Sequence, residues 1–125
     1  MERIGIIGDV HAEHQRLETA LDLFEKKKVD LLLCTGDLAD GRGDLDACCS
    51  MLTDAGALVV AGNHDRWFLE EKVRHVADAH YRQHASPSTL HFMESLPRTR
   101  SVDTGLGKLI LCHGVLDDDL AKIWP

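Results

Sequence analysis

Short apolar runs alternate, along the first half of the chain, with longer segments in which apolar residues recur at helical spacing. The runs predict three buried strands, at residues 3–7, 30–35 and 57–61. Between them, apolar residues with a period near 3.6 predict helices at residues 14–27 and 44–54, the second with Asp44 as its N-cap. Because crossovers of this kind are right-handed, the alternation predicts a largely parallel sheet in a β-α-β-α-β core of the α/β class.

The second half of the chain is more polar and its pattern is weaker. Residues 66–83 are compatible with helix, but their apolar positions have little periodicity. A Ser-Pro pair at residues 86–87 predicts the start of a further helix, with the serine as N-cap. Residues 98–103 and 108–112 flank the turn Thr104-Gly105-Leu106-Gly107 and predict a hairpin.

Length and composition are those of a globular protein. The chain has 125 residues, 44% of them hydrophobic, and we expect a single domain over residues 1–125. Its net charge of -7 argues against broad binding to nucleic acids or anionic membranes, since such binding needs a surface rich in Lys and Arg. No apolar run approaches the roughly 20 residues of a membrane span, and Met1-Glu2-Arg3 leads into the first strand without an export signal. A cytoplasmic location is therefore the expectation.

The cysteines carry no sign of a metal or redox motif. The four cysteines are Cys34, Cys48, Cys49 and Cys112, and no pair has the C-x-x-C spacing. We expect free thiols that pack as small hydrophobic side chains in a reducing compartment.

Polar clusters that contain glycine follow each predicted strand except the first strand of the hairpin. They are Gly8-Asp9-Val10-His11, Gly36-Asp37, Gly62-Asn63-His64-Asp65 and His113-Gly114. The carboxyl ends of parallel strands share one edge of a sheet, where open α/β folds bind ligands, so we expect the clusters to converge. Oxygen and imidazole donors without thiolate suit Mn, Fe, Zn, Ni or Mg. Each cluster alone also fits a turn or a helix cap, but their ordered occurrence at strand ends indicates a metal site.

The series Gly-Asp-x-His, Gly-Asp, Gly-Asn-His-Asp and His-Gly resembles the calcineurin-like metallophosphoesterase superfamily, and it is most similar to the small bacterial phosphodiesterase branch. The resemblance extends from Asp9 to His113. It implies a layered α/β sandwich that hydrolyses phosphodiesters or phosphomonoesters with a hydroxide activated by two divalent metal ions. It also implies that the substrate is a phosphate-ester small molecule or a nucleotide.

The same resemblance assigns roles to the residues of the clusters. The implied metal ligands are Asp9 and His11 at the first metal, Asp37 as the bridge between both, and Asn63 and His113 at the second. His64, with Asp65 behind it, is implied to donate a proton to the leaving group. The alternative for His64 is a metal ligand or a position farther from the metals.

The sequence departs from the superfamily after His113. The superfamily ordinarily closes its site with a later Gly-His-x-His segment, whereas residues 114–125 contain no histidine. Their candidate donors are Asp117, Asp118 and Asp119, for which we expect an acidic helix start or a solvated turn. We therefore expect a sandwich that is incomplete at its C-terminal end, with an uncovered apolar sheet face, partial metal loading and low activity. On this interpretation the chain is the N-terminal portion of a longer enzyme, a short form that makes a homodimer, or a partner of a complementing C-terminal half.

Two other kinds of function compete with a hydrolase. A non-catalytic metal-binding, nucleotide-binding or regulatory module of the same fold would explain the missing closing histidines. A flavodoxin-like or receiver-like domain would use Asp9 or Asp37 as a phosphoacceptor, but it gives residues 63–65 and His113 no role. Surface positions are expected for the histidines of the polar middle segment, His75, His80, His84 and His91.

Overall fold

The predicted parallel core is confirmed. The computed structural model describes residues 3–123, so residues 1–2 and 124–125 lie outside it. Met1 and Glu2 belong to the segment in which the sequence predicts no export signal, so that prediction lies mostly outside the described residues. Its three-stranded sheet has the order β1-β2-β3 with parallel neighbours. The strands are β1 (Ile4–Ile7), β2 (Leu31–Cys34) and β3 (Leu58–Val59), the last shorter than predicted. Because Ile7 pairs with Cys34 and Cys34 with Val59, all three carboxyl ends lie at one edge.

Two crossover helices connect these strands, over nearly the predicted ranges. They are α1 (His14–Lys26) and α2 (Leu45–Asp54). The carboxylate of Asp44 accepts a 3.0 Å hydrogen bond from the N–H of Ala47, so the predicted N-cap of α2 is confirmed. The predicted apolar stripe of α2, from Leu45 to Leu52, is buried. Both helices contribute to a core cluster on one face of the sheet.

The segment after β3 is helical over a different range from the prediction. Helix α3 (Asn63–Glu70) begins before residue 66 and ends well before residue 83. It begins at Asn63 because the Asp65 carboxylate accepts the N–H of Gly62 at 2.8 Å and caps the first turn. It ends because Glu71 adopts a left-handed conformation with φ 56°. Residues 71–81 form turns and irregular backbone, and one 3-10 turn follows at residues 82–84.

A fourth helix and a hairpin complete the described fold. Helix α4 (Pro87–Ser95) begins as predicted, with Ser86 Oγ accepting the N–H of Thr89 at 3.1 Å. Strands β4 (Thr99–Thr104) and β5 (Gly107–Cys112) form the predicted hairpin, which is a separate antiparallel sheet.

The two faces of the parallel sheet are covered unequally. Successive residues of a strand point to opposite faces. Cys34 packs in the cluster with the helices. Leu33 packs on the other face, with Val60 after β3 and with Leu111 of the hairpin. Beyond this small second cluster, Ile6, which pairs with Leu33 and points to the same face, is 59% exposed. The second face therefore keeps apolar surface in contact with solvent.

The cysteines are free, as predicted, and three of them pack in the core. Burial raises the pKa of the thiols of Cys34, Cys48 and Cys49 to about 12, while Cys112 is half-buried. Residues 3–123 contain no helix that is long and apolar enough to cross a membrane.

Candidate metal centre

The loops after β1 and β2 are joined side by side at the carboxyl edge of the sheet. The N–H of His11 donates to the Asp37 carbonyl, and the N–H of Ala12 donates to the Leu38 carbonyl, both at 2.8 Å. Asp37 is thereby placed beside the imidazole of His11, although the two residues come from different strand ends. This convergence is the arrangement expected from parallel strands.

Two groups of donor atoms in this edge are compact enough to hold a metal ion. One consists of His11, Asp37 and His64, and the other of Asp9, Asp37 and His113; within each group the donor atoms lie within 4.8 Å of one another. Asp37 belongs to both groups and is buried, whereas Asp9 is exposed. Its Oδ1 accepts the backbone N–H of His64 at 3.0 Å, and its Oδ2 faces Nε2 of both His11 and His113, so Oδ2 is the oxygen placed between the two groups.

Backbone carbonyls fix the orientation of two imidazoles. Nδ1 of His11 lies 2.8 Å from the Asp40 carbonyl oxygen, and Nδ1 of His113 lies 2.8 Å from that of Thr35. A carbonyl oxygen only accepts, so each Nδ1 carries the proton and each neutral ring leaves a lone pair on Nε2. Those Nε2 atoms lie 3.6 Å and 3.4 Å from Asp37 Oδ2. The Nε2 lone pairs of both histidines therefore face a carboxylate oxygen of Asp37, and all of these atoms are acceptors.

Asn63 adds an oxygen to the second of these groups. It is buried at the start of α3, and its Oδ1 lies 3.0 Å from Nε2 of His113. A lone pair on Nε2, an amide oxygen and a carboxylate oxygen form a donor set suited to a divalent cation of the Mn, Fe, Zn, Ni or Mg type. The residues present therefore fit two cations that share Asp37.

Asp65 does not lie behind His64, which corrects the role expected for it. Its carboxylate is fully buried and accepts four backbone N–H groups, those of Asp37, Leu38, Ala39 and Gly62, at 2.8 to 3.0 Å. Burial raises the pKa of Asp65 to about 6, against the opposing effect of these donors. The expectation was wrong because the side chain at this position of α3 points towards the loop after β2. Asp65 holds the backbone of that loop instead of an imidazole.

The carboxylate that contacts His64 is Asp40, which the sequence analysis missed. Asp40 Oδ2 lies 2.8 Å from His64 Nδ1, and the Asp40 side chain is 1% exposed. Burial by itself raises the pKa of Asp40, but hydrogen bonds from Arg74, the N–H of His80 and His64 bring it below its ordinary value. Its position three residues after Asp37, in Gly-Asp-Leu-Ala-Asp, was the available signal.

Two further expectations about surface residues were wrong. His80 is half-buried, and its Nδ1 accepts the N–H of Asp40 at 2.8 Å. Asp119 is buried and accepts two hydrogen bonds from Arg66, at 2.7 Å and 3.0 Å, instead of lying in a solvated turn. Both residues find partners more than thirty positions away in the chain, which a local pattern does not reveal.

The backbone of the site is unusual in its conformation. Asp9, His11, Asp37 and Asp40 all have positive φ, between 43° and 71°, a region that costs about 1 kcal/mol or more for a residue with a β-carbon. Gly62 lies so close to Asp37 that a β-carbon there would overlap the carboxylate. The glycine that precedes α3 is therefore required by the position of Asp37.

The model of one family matches nearly the whole chain. Residues 2–124 match the family described as calcineurin-like phosphoesterase. A metallophosphoesterase from Sphaerobacter thermophilus superposes with a TM-score of 0.62 and 29% identity, over 79% of this chain and 43% of that one. A putative diadenosine tetraphosphatase superposes with a TM-score of 0.65 and 30% identity, over 78% and 44%.

A similarity in sequence alone points the same way. The uncharacterized protein MJ0912 of Methanocaldococcus jannaschii is 24% identical over an alignment of 117 residues, which covers 88% of this chain and 48% of that protein. The chain thus spans less than half the length of each of these three relatives. The match to the family model, together with the shared α/β fold, means that the chain belongs to the calcineurin-like phosphoesterase family.

Proposed function

We propose that the chain carries the metal-binding part of a phosphoesterase that hydrolyses phosphodiesters or phosphomonoesters. The observation that carries the proposal is the shared position of Asp37 between the groups Asp9, Asp37, His113 and His11, Asp37, His64. By the family resemblance, the roles proposed are Asp9 and His11 at one cation, Asp37 at both, and Asn63 and His113 at the other. The donor groups of the structure divide differently, with Asp9 beside His113 and His11 beside His64, so the cation that Asp9 holds is the part of this assignment to test. Two divalent cations bound there would supply Lewis acidity for the phosphoryl oxygens and for an attacking water.

The chain's own residues prepare this site in three ways. The carbonyls at Nδ1 hold His11 and His113 in the tautomer that leaves Nε2 available. Asn63 is neutral, so it does not add to the negative charge that Asp9 and Asp37 already contribute. Asp65 keeps Asp37 in place because its carboxylate accepts a hydrogen bond from the backbone N–H of Asp37.

His64 is the proposed proton donor, with Asp40 in the orienting role first expected of Asp65. The hydrogen bond between Nδ1 and Asp40 orients the ring and leaves Nε2 as the nitrogen that gives a proton to the leaving alkoxide. The ring also contacts His11 and Trp67, at centroid distances of 4.9 Å and 4.8 Å. His64 also belongs to the donor group with His11 and Asp37, so a metal-bound His64 is the alternative to test.

The substrate proposed is a small phosphate ester or a nucleotide. The name of one structural relative, a putative diadenosine tetraphosphatase, favours a nucleotide. Manganese is the metal to test first, because oxygen and imidazole donors suit it. The reducing cytoplasm stays our prediction for the location, supported by four free cysteines.

Calorimetric titration of the full chain with Mn²⁺, combined with hydrolysis of bis-p-nitrophenyl phosphate, tests the proposal. We expect weak or partial loading and low but metal-dependent turnover, both abolished in Asp37→Ala. Asp103→Ala is the matched control, because this carboxylate is exposed and its nearest cation is Lys108 at 3.7 Å. Turnover that survives in Asp37→Ala would refute the proposal.

A non-catalytic module of the same fold is the second candidate, favoured by the absence of a Gly-His-x-His segment from residues 114–125. It predicts metal binding in the titration without turnover. We also propose that a second copy or a complementing C-terminal half covers the exposed apolar face around Ile6. Light scattering measures whether the chain alone is a dimer, which supports a second copy as the cover of this face. A monomer whose turnover rises when the C-terminal half of a relative is added supports the complementing half instead.

A further inference from the structure

The irregular segment after α3, residues 71–81, contacts the carboxylate of Asp40. Arg74 makes the principal contacts: Nη1 donates to Asp40 Oδ1 at 2.8 Å and Nη2 donates to Oδ2 at 3.0 Å. The N–H of His80 adds a 2.9 Å hydrogen bond to Oδ1. Asp40 Oδ2 is also the atom that contacts His64. One oxygen of the carboxylate is therefore shared by Arg74 and the proposed proton donor.

The same arginine ties the segment to itself. Arg74 Nε donates to the Lys72 carbonyl and Nη1 donates to the His80 carbonyl, both at 2.8 Å. Three residues of this segment, Glu71, Val73 and Asp78, have φ between 54° and 56°. Left-handed conformations at residues other than glycine persist where surrounding contacts determine them. The guanidinium supplies such contacts, and its side chain is only 12% exposed.

We propose that Arg74 is a positioning residue for His64, acting through Asp40; the proposal rests on the proposed phosphoesterase function. The bidentate pair fixes the plane of the Asp40 carboxylate, and a fixed plane keeps Oδ2 on Nδ1 of His64. In the neutral ring this contact holds the proton on Nδ1, so that Nε2 is the nitrogen that takes up a proton from water and later gives it to the leaving alkoxide. Without Arg74, the N–H of His80 holds only Oδ1, the carboxylate plane is less firmly fixed, and His64 loses its preferred tautomer.

Three variants of the full chain test the role of Arg74. Arg74→Met removes the charge and the hydrogen bonds while keeping the length of the side chain. Arg74→Lys keeps the charge but cannot make the two parallel bonds. Arg16→Met is the matched control, because Arg16 is 85% exposed on α1 and pairs only with the nearby Glu13 among the contacts described. Urea unfolding of each variant establishes that it is folded before other measurements.

The first readout is the tautomer of His64 in the metal-free chain, measured by two-bond nitrogen-proton correlation NMR at slightly alkaline pH and assigned with His64→Gln. We expect an Nδ1–H tautomer in the wild type and in Arg16→Met. Arg74→Met is expected to shift the ring to the mixture typical of free imidazole, with Arg74→Lys in between. Asp40→Asn is expected to shift His64 as Arg74→Met does, and the double variant no further. An unchanged His64 tautomer in folded Arg74→Met or Arg74→Lys would overturn the proposal.

The second readout is the dependence of turnover on the leaving group. A positioned proton donor matters most for poor leaving groups, so we expect Arg74→Met to lose about tenfold or more on alkyl esters and much less on nitrophenyl esters. A purely structural role would lower both rates equally and would contradict the proposal. If no variant and no wild type turns over, the phosphoesterase proposal fails, while the tautomer measurement still decides the contact between Arg74, Asp40 and His64.

Discussion

Asp65 Oδ2 accepts a 2.8 Å hydrogen bond from the backbone N–H of Asp37, so a fully buried side chain of α3 supports the proposed bridging ligand from behind. The same oxygen accepts the N–H of Gly62, and Oδ1 accepts those of Leu38 and Ala39. Both oxygens are thus acceptors for two donors each. The loop after β2 and the start of α3 are held by one carboxylate.

Asp65→Asn is expected to destabilise the fold strongly. The substitution keeps the shape of the side chain, but its NH₂ group would face two backbone N–H donors and leave them unsatisfied in the core. We expect a loss of about 3 kcal/mol in the free energy of unfolding, since each buried donor without a partner costs about 1 to 3 kcal/mol. Urea unfolding measures it, with the exposed Asp103→Asn as the control. A loss below about 1 kcal/mol would show that the loop does not depend on this carboxylate.

Gly62→Ala is expected to weaken metal binding. A β-carbon at this position would overlap the Asp37 carboxylate, and the backbone of Asp37 also lies too close to move aside freely. We expect Mn²⁺ affinity to fall by about tenfold or more, as for other substitutions that disturb the orientation of a ligand. Titration calorimetry measures the change. Gly105→Ala is the control, because a β-carbon there meets nothing within 4 Å, and equal affinities in the two variants would contradict the expected crowding.

The sequence predicted the edge of the sheet on which the site lies, and for physical reasons. Strand ends are marked by the change from apolar residues to glycine and polar residues, and parallel strands bring those ends together. This is why Asp9, His11 and Asp37 could be placed at one site from their positions after parallel strands. His113 follows β5 of the separate antiparallel hairpin, so its place beside Asp37 did not follow from this rule. The hairpin could be predicted in the same way from its turn and flanking strands, since its register is local.

The partners of buried charges could not be predicted in this way. Asp65 stands next to His64 in the chain, but neighbours on a helix point in different directions, and the side chain turns to the loop after β2. His64 finds Asp40 instead, 24 residues earlier, and Asp40 finds Arg74, 34 residues later. Such pairs depend on how loops fold over the sheet edge, and no periodicity in the sequence encodes them. The same holds for Arg66 and Asp119, which are 53 residues apart.

The pair Arg66 and Asp119 makes stability depend on acid pH. Hydrogen bonds from Arg66 hold the pKa of Asp119 below its ordinary value of 3.8. The folded chain therefore favours the charged carboxylate, and the contribution is present above the ordinary pKa and lost as the pH falls through the folded pKa. We expect Asp119→Asn to lose about 1 to 2 kcal/mol at neutral pH, and this difference from wild type to shrink as the pH falls below the ordinary pKa of 3.8.

Urea unfolding of wild type and Asp119→Asn at neutral and acid pH measures the difference in their free energies of unfolding. The other carboxyl groups are the same in both proteins, so their contributions to this difference cancel. Asp103→Asn, on an exposed carboxylate, controls for the change of charge alone. A difference between Asp119→Asn and wild type that is the same at neutral and acid pH would show that Asp119 stabilises the fold by packing and not by its charge.

Cys112 is expected to be the thiol that reacts first in the native chain. Cys34, Cys48 and Cys49 are buried with pKa values raised to about 12 by burial, so little thiolate forms at neutral pH and reagents cannot reach it. Cys112 is half-buried at the end of β5, with Sγ 3.4 Å from the carbonyl of Gly114. Titration with Ellman's reagent should therefore modify one thiol quickly and all four only in denaturant, and Cys112→Ser should remove the fast phase. A fast phase that survives in Cys112→Ser would mean that the core around α2 opens readily, because the remaining thiols all lie inside it.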